Sequence, residues 1–174
     1  MIRVGTDILA IERMKNAINS CGARFLQHVF TPYEIEKAPC VHSAAYYHFY
    51  TKRFVAKEAM LKAIGVDINR RAVWQEIEIR NTNQGRPFIL LQERLLIQTK
   101  SIYLSSIYNL CQICGGNYRS TIVILSYICI KCGGEITYSF ENLDHIKTYI
   151  DLSMSDDHKY AIATVLLTIE SITY

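Results

Sequence analysis

Two acidic residues stand where a divalent cation could be held: Asp7, near the end of an apolar N-terminal stretch, and Glu58, inside a long helical pattern. Magnesium takes oxygen ligands, keeps several waters and is commonly held by one or two carboxylates plus substrate phosphates, so a pair of this kind suffices. Arg53 and Lys57 are four apart, as are Glu58 and Lys62, which places each pair one helical turn apart on a surface suited to clamping phosphates. The same spacing also describes an ordinary exposed Glu58–Lys62 ion pair of small energetic value, and spacing alone does not choose between the two. A second constellation lies later, where Cys111-x-x-Cys114 and Cys129-x-x-Cys132 are each followed by two glycines. Thiolates at this spacing reach one tetrahedral zinc ion, and glycine permits the tight turn between them. Four reduced cysteines without metal are the alternative.

The elements that must position these groups are legible from period and punctuation. Ile2–Leu9 reads as a strand carrying Asp7 near its end. Ile11, Met14, Ile18 and Phe25 then recur at roughly helical spacing, with room for a helix followed by a second short one. Thr31-Pro32-Tyr33-Glu34 predicts a helix start, with Thr31 as N-cap, Pro32 first and Glu34 in capping-box position. Tyr47, Tyr50, Phe54, Leu61 and Ile64 predict a long helix over Tyr47–Ile64 that stops at Gly65 and carries the basic and acidic cluster. Trp74–Arg80 and Pro87–Leu91 read as two strands of a hairpin joined through Asn81–Arg86. Tyr160–Thr168 reads as a buried closing strand. Residues 101–149, rich in Tyr, Ile, Ser and Cys, read as an insertion, within which Ile122–Leu125 and Tyr127–Ile128 suit strands of a zinc ribbon. The expectation is a single α+β domain over 1–174, with antiparallel sheet packed on a long helix and a late cysteine-rich, zinc-ribbon-like insertion.

Bulk properties restrict the function. A chain of 174 residues with 50% apolar and 20% charged composition has enough apolar surface for one core and is not of the disordered class. The apolar run Thr121–Ile130 is about half the ~20 residues of a membrane-spanning helix, so no span is expected. The start at Met1 has no basic segment followed by an apolar stretch and cleavage site, which predicts a cytoplasmic protein or one processed into an organelle. Net charge is +3, but residues 1–71 hold eleven Lys/Arg against six Asp/Glu. That basic part suits an anionic ligand or an acidic protein partner. Residues 101–150 balance three against three, which argues against nucleic acid there.

Several short blocks, in order, resemble the holo-acyl-carrier-protein synthase family of 4′-phosphopantetheinyl transferases. They are Gly5-Thr6-Asp7-Ile8, Arg24-Phe25, Val29-Phe30-Thr31, and Arg53-Phe54-Val55-Ala56-Lys57-Glu58-Ala59 with Lys62-Ala63. Ile77-Glu78-Ile79, Gly85-Arg86-Pro87 and Leu152-Ser153-Met154-Ser155 ahead of Tyr160-Ala161 are similar to the later blocks. The resemblance implies a magnesium enzyme that moves 4′-phosphopantetheine from coenzyme A, its co-substrate, onto a serine of an acyl carrier protein. It implies that Asp7 and Glu58 hold Mg2+ and act in catalysis with Lys62. Arg53 would lie near the nucleotide phosphates and Lys57 near the transferred group, while Gly85, Arg86, Pro87 and Ser155 would also bind coenzyme. Arg13, Lys15, Arg24 and Phe25 fall where such enzymes dock the acidic carrier, and the resemblance implies a homotrimer. One position departs: the family usually has a histidine where this chain has Asp156, followed by Asp157 and His158. That departure leaves open a degenerate member that binds coenzyme A or carrier protein without turnover. The cysteine pairs, which have no counterpart in the resemblance, leave open a docking module built on a zinc ribbon.

Overall fold

The computed structural model describes residues 1–65, 73–107, 118–120, 126–129, 135–137, 143 and 145–171. It forms two compact units, one of Ile2–Gln92 with Ile150–Leu167, the other of Met1, Glu93–Tyr149 and Thr168–Tyr174.

The first unit opens on β1 (Ile2–Ala10), which runs directly into α1 (Ile11–Val29). Helix α1 kinks at Gly22, whose φ of 55° breaks the helical path and divides it as the spacing suggested. Thr31 caps α2 (Pro32–Glu36) through a complete capping box: its side chain accepts from the Glu34 nitrogen, and the Glu34 carboxylate accepts from the Thr31 nitrogen at 2.8 Å. Helix α3 (Ala44–Ile64) starts three residues ahead of the expected Tyr47, because Ser43 serves as N-cap and accepts from the Tyr46 nitrogen. Gly65 ends it in the left-handed region at φ 80°, and Arg3 Nη1 donates to the last carbonyl, of Ile64, at 2.7 Å.

With 21 residues, α3 is about 31 Å long and is buried on most sides, so it is the central element of this unit. Small residues make that possible. Ala59 and Ala63 are wholly buried, and β1 crosses them at Gly5, where a Cβ would run into the Ala59 carbonyl and come within 2.6 Å of the Ala63 nitrogen. Trp74–Glu76, expected as the start of a strand, forms a single 3-10 turn instead; strand β2 (Ile77–Asn81) then pairs antiparallel with β3 (Pro87–Leu91). Trp74 is spent stacking on Phe54 of α3 at 5.3 Å between centroids, which takes it out of the extended path.

Strands β7 (Ile146–Asp156) and β8 (Tyr160–Ser171) form a sheet with β1 in the order β1-β8-β7. Thr6 faces Thr164 across the strands, and the Ile11 nitrogen donates to the Lys159 carbonyl, so β1 and β8 run antiparallel. The turn between β7 and β8 is tied by Asp157, whose Oδ1 accepts from the Lys159 and Tyr160 nitrogens at 2.7 Å each. β8 is not the uniformly buried run expected: Ala161, Ala163, Val165 and Leu167 face the core, whereas Ile162 and Leu166 face out. That alternation belongs to a sheet covered on one side only.

In the second unit, α4 (Glu93–Ile107) begins ahead of the expected insertion boundary at 101. Its Lys100 Nζ donates to the Leu143 carbonyl at 3.1 Å. Three short antiparallel strands, β4 (Tyr118–Ser120), β5 (Ser126–Cys129) and β6 (Glu135–Thr137), lie in the order β4-β5-β6. β5 coincides with the expected Tyr127–Ile128 strand. Cys111, Cys114 and Cys132 lie outside the described residues, as does the expected Ile122–Leu125 strand; of Cys129 the strand position alone is described. Among the described residues no helix is long and apolar enough to cross a membrane. The α+β class with antiparallel sheet and one long helix is as the sequence predicts.

Candidate active site

Where β1 crosses the C-terminal half of α3, two carboxylates and a cation come together. Lys62 Nζ lies 2.9 Å from Asp7 Oδ1 and donates to the Thr6 carbonyl at 3.0 Å. Glu58, one turn before Lys62, is half-buried, and burial followed by the nearby Asp7 charge pushes its carboxyl above the usual range, with Lys62 opposing. Among the described residues no group of three or more His, Cys, Asp or Glu assembles. The donor set here is therefore two carboxylates with Lys62 beside them, which suits an ion that prefers few protein oxygens and supplies the rest from water and phosphate; Mg2+ fits.

The remaining basic residues of α3 divide between two environments. Lys57, expected beside a transferred phosphoryl group, is wholly buried and its ammonium is fully engaged: it pairs with Glu34 Oε2 at 2.7 Å and donates to the Val29 and Trp74 carbonyls at 2.9 and 3.0 Å. Three donors meeting three acceptors leave nothing for a ligand. Glu34 completes the knot by accepting from the Ile79 nitrogen through Oε1 at 3.1 Å, so Lys57 ties α2, α3 and β2 together. Burial lowers its pKa, against the opposing pull of Glu34.

Arg53, in contrast, lines a cleft of about 840 Å³. Its guanidinium lies 3.4 Å from the centroid of the Phe49 ring, and Nη2 donates to Asn81 Oδ1 at 3.2 Å. Asn81 in turn donates to the Gly85 carbonyl at 2.9 Å, so the β2–β3 turn is fastened to α3. Only 7% exposed, Arg53 has its pKa lowered to about 10, chiefly by burial. Gly85 and Pro87 line the same cleft with Met154 and Asp156 of β7. Arg86 points instead to Asp151, 3.3 Å away on an exposed surface, and Ser155 is exposed on β7; neither lines the cleft. The sequence reading missed His48 and Lys52, which also line the cleft and bind Asp156. Their spacing of four on a predicted helix, with Arg53 next in line, was the available signal.

The fold, a long helix with antiparallel sheets, is that of solved holo-(acyl-carrier-protein) synthases. The enzyme from Chronobacterium ammoniagenes in complex with CoA superposes at a TM-score of 0.62 with 20% identity, covering 98% of each chain. That from Bacillus anthracis, in complex with CoA (3′,5′-ADP), gives 0.58 with 19% identity, covering 95% of this chain and 94% of the other. A family model described as the 4′-phosphopantetheinyl transferase superfamily matches residues 3–123, and the chain belongs to that superfamily. Among curated relatives, the holo-(acyl-carrier-protein) synthase of Ruminiclostridium cellulolyticum is 42% identical over 88 residues, 51% of this chain and 65% of the relative. That of Hyphomonas neptunium is 42% identical over the same length, and the match spans 63% of it, so in both cases less than two thirds of the relative is covered. That of Chlamydia muridarum is 39% identical over 107 residues, 60% of this chain and 83% of the relative.

Proposed function

We propose that this chain transfers the 4′-phosphopantetheine group of coenzyme A to a serine of an apo-acyl-carrier protein, releasing 3′,5′-ADP. The observation that carries this reading is the meeting of Asp7, Glu58 and Lys62 at the crossing of β1 and α3. Asp7 and Glu58 would hold Mg2+, which when bound supplies charge neutralisation at the diphosphate. Lys62, released from Asp7, sets an ammonium against the transferred phosphoryl oxygens. The serine oxygen of the carrier bonds to the β-phosphorus, the bond from that phosphorus to the 3′,5′-ADP oxygen breaks, and the electron pair leaves with the nucleotide. A carboxylate of the pair would take the serine proton. Arg53, Gly85 and Pro87 place the nucleotide half of coenzyme A in the cleft, whose lining does not include Arg86 or Ser155. Arg13 and Arg24, exposed on α1, with Lys15 and Phe25, meet the acidic carrier.

A homotrimer is part of this reading. Its support is the outer face of β1 and β8, where Ile2, Val4 and Ile8 are 71%, 61% and 59% exposed alongside Ile162 and Leu166. An apolar patch of that kind is suited to burial against other copies of the chain. The zinc assignment to Cys111, Cys114, Cys129 and Cys132 rests on sequence spacing, and zinc content of the purified protein beside Cys111→Ser tests it.

Asp156 favours one competing reading, a member that binds coenzyme A without turnover. Incubation with coenzyme A, Mg2+ and apo-carrier, followed by mass spectrometry of the carrier, separates the two. A gain of one phosphopantetheine that disappears in Asp7→Ala and Glu58→Ala supports the transferase. Coenzyme A binding with no gain at any Mg2+ concentration selects the degenerate member.

A further inference from the structure

Three polar side chains that the transfer chemistry does not use meet in the wall of the cleft. His48 and Lys52 come from α3 and Asp156 from the end of β7. Asp156 Oδ2 lies 2.6 Å from His48 Nδ1 and Oδ1 lies 2.9 Å from Lys52 Nζ, so one carboxylate orients two nitrogen groups. A histidine fixed through Nδ1 has its Nε2 committed to whatever lies on the other side of the ring. Among the described residues Nε2 of His48 has no hydrogen-bond partner, and the side chain stays 26% exposed.

The charge around it is one-sided. Lys52 and Arg53 from the same helix and Lys37 from the end of α2 line the cleft with His48, against Asp156 alone. On its far side His48 also lines a smaller cavity of about 300 Å³ with Lys15 of α1 and His42 and Tyr47. Arg53 adds an independent observation: it is 93% buried by its 7% exposure, and its Nε is buried with no partner among the described residues.

We propose that His48, held by Asp156 and flanked by Lys52, is a contact residue for a phosphate on the nucleotide half of the coenzyme. The inference rests on the transferase reading above and extends it to His48, Lys52 and Asp156. The block that resembles the family places an imidazole on the strand; here the strand supplies the carboxylate and the helix supplies the imidazole to the same wall. His158, exposed in the β7–β8 turn, does not reach the cleft lining. Asp156 supports the arrangement by fixing the ring through Nδ1.

Calorimetric titration with coenzyme A and with 3′,5′-ADP tests this on the full chain. His48→Ala is expected to weaken both ligands by a similar factor, about tenfold or more, as for loss of a hydrogen bond to a charged group. His48→Gln, which keeps a donor, is expected to recover part of the loss, a response that a merely structural role would not give. His48→Asp sets two carboxylates face to face and is expected to abolish detectable binding, and the reciprocal His48→Asp/Asp156→His is expected to restore it. Thermal melts followed by circular dichroism identify any variant that does not fold. Binding of both ligands to His48→Ala within about twofold of the parent would overturn the proposal and leave the transferase reading standing. A loss confined to coenzyme A, with 3′,5′-ADP unaffected, would overturn it as well, since the nucleotide half would then lie elsewhere. A parent chain that binds neither ligand would overturn the transferase reading itself.

Discussion

Lys57 illustrates how a residue in the right motif can do a different job from its neighbours. It sits beside Glu58 in sequence, yet a step of one residue turns the side chain by about 100° around α3, away from Asp7 and into the knot with Glu34. Removing one partner of such a buried pair leaves an uncompensated charge, so Lys57→Ala is expected to cost about 3–5 kcal/mol in denaturant unfolding. The double change Lys57→Met/Glu34→Leu is expected to recover little of that loss, because the buried Thr31 and Ile79 nitrogens lose the carboxylate that accepts from them. Asp156 makes a pH-dependent contribution. Burial would raise its pKa, but hydrogen bonds from Lys52 and His48 outweigh this and hold it below 3.8. A carboxyl lowered in the folded state contributes stability above its unfolded value of 3.8, and that contribution is lost as the pH falls through the lower folded value. The melting-temperature gap between the parent and Asp156→Asn is therefore expected at pH 7 and should close in the acid range below 3.8.

The crossing of β1 and α3 is the element-level device that makes the carboxylate pair. Neither Asp7 nor Glu58 is placed by its own local structure; each is placed by how closely a strand can approach a helix. Gly5 on one side and Ala59 and Ala63 on the other set that distance. In Gly5→Ala the new methyl meets backbone, which cannot turn aside as a side chain would. Overpacking of this kind is expected to cost about 1–3 kcal/mol or more, and to weaken Mn2+ binding, followed by electron paramagnetic resonance, as Asp7 is carried away from Glu58. If Gly5→Ala left both stability and Mn2+ affinity unchanged, the close approach would not be what positions the pair.

At the level of the whole molecule, the outward face of β1 and β8 is the feature a solitary chain explains least well. Ile2, Val4, Ile8, Ile162 and Leu166 are exposed on one side of a sheet whose other side is core. Burying such a face offers about 25 cal/mol for each Å² removed from water. Light scattering of the parent is expected to give three times the chain mass of 20.0 kDa, and Ile162→Asp, which puts a charge in the middle of the face, a lower mass with the fold retained. A parent that runs as a monomer would remove the trimer from the reading.

The sequence by itself determined the local pieces, because caps, glycine stops and hydrophobic period act over a few residues: Thr31 with Glu34, Gly65 after α3, and the β2–β3 hairpin are all legible there. It also carried the ordered blocks that mark the superfamily. It did not determine which side chains of α3 face which neighbour, since that depends on elements far along the chain. Lys57 became a structural cation because Glu34 came to meet it, and His48 became a cleft residue because β7 brought Asp156 across from more than a hundred positions away. Charge and burial at those positions are properties of the assembled surfaces, and only the tertiary structure decides them.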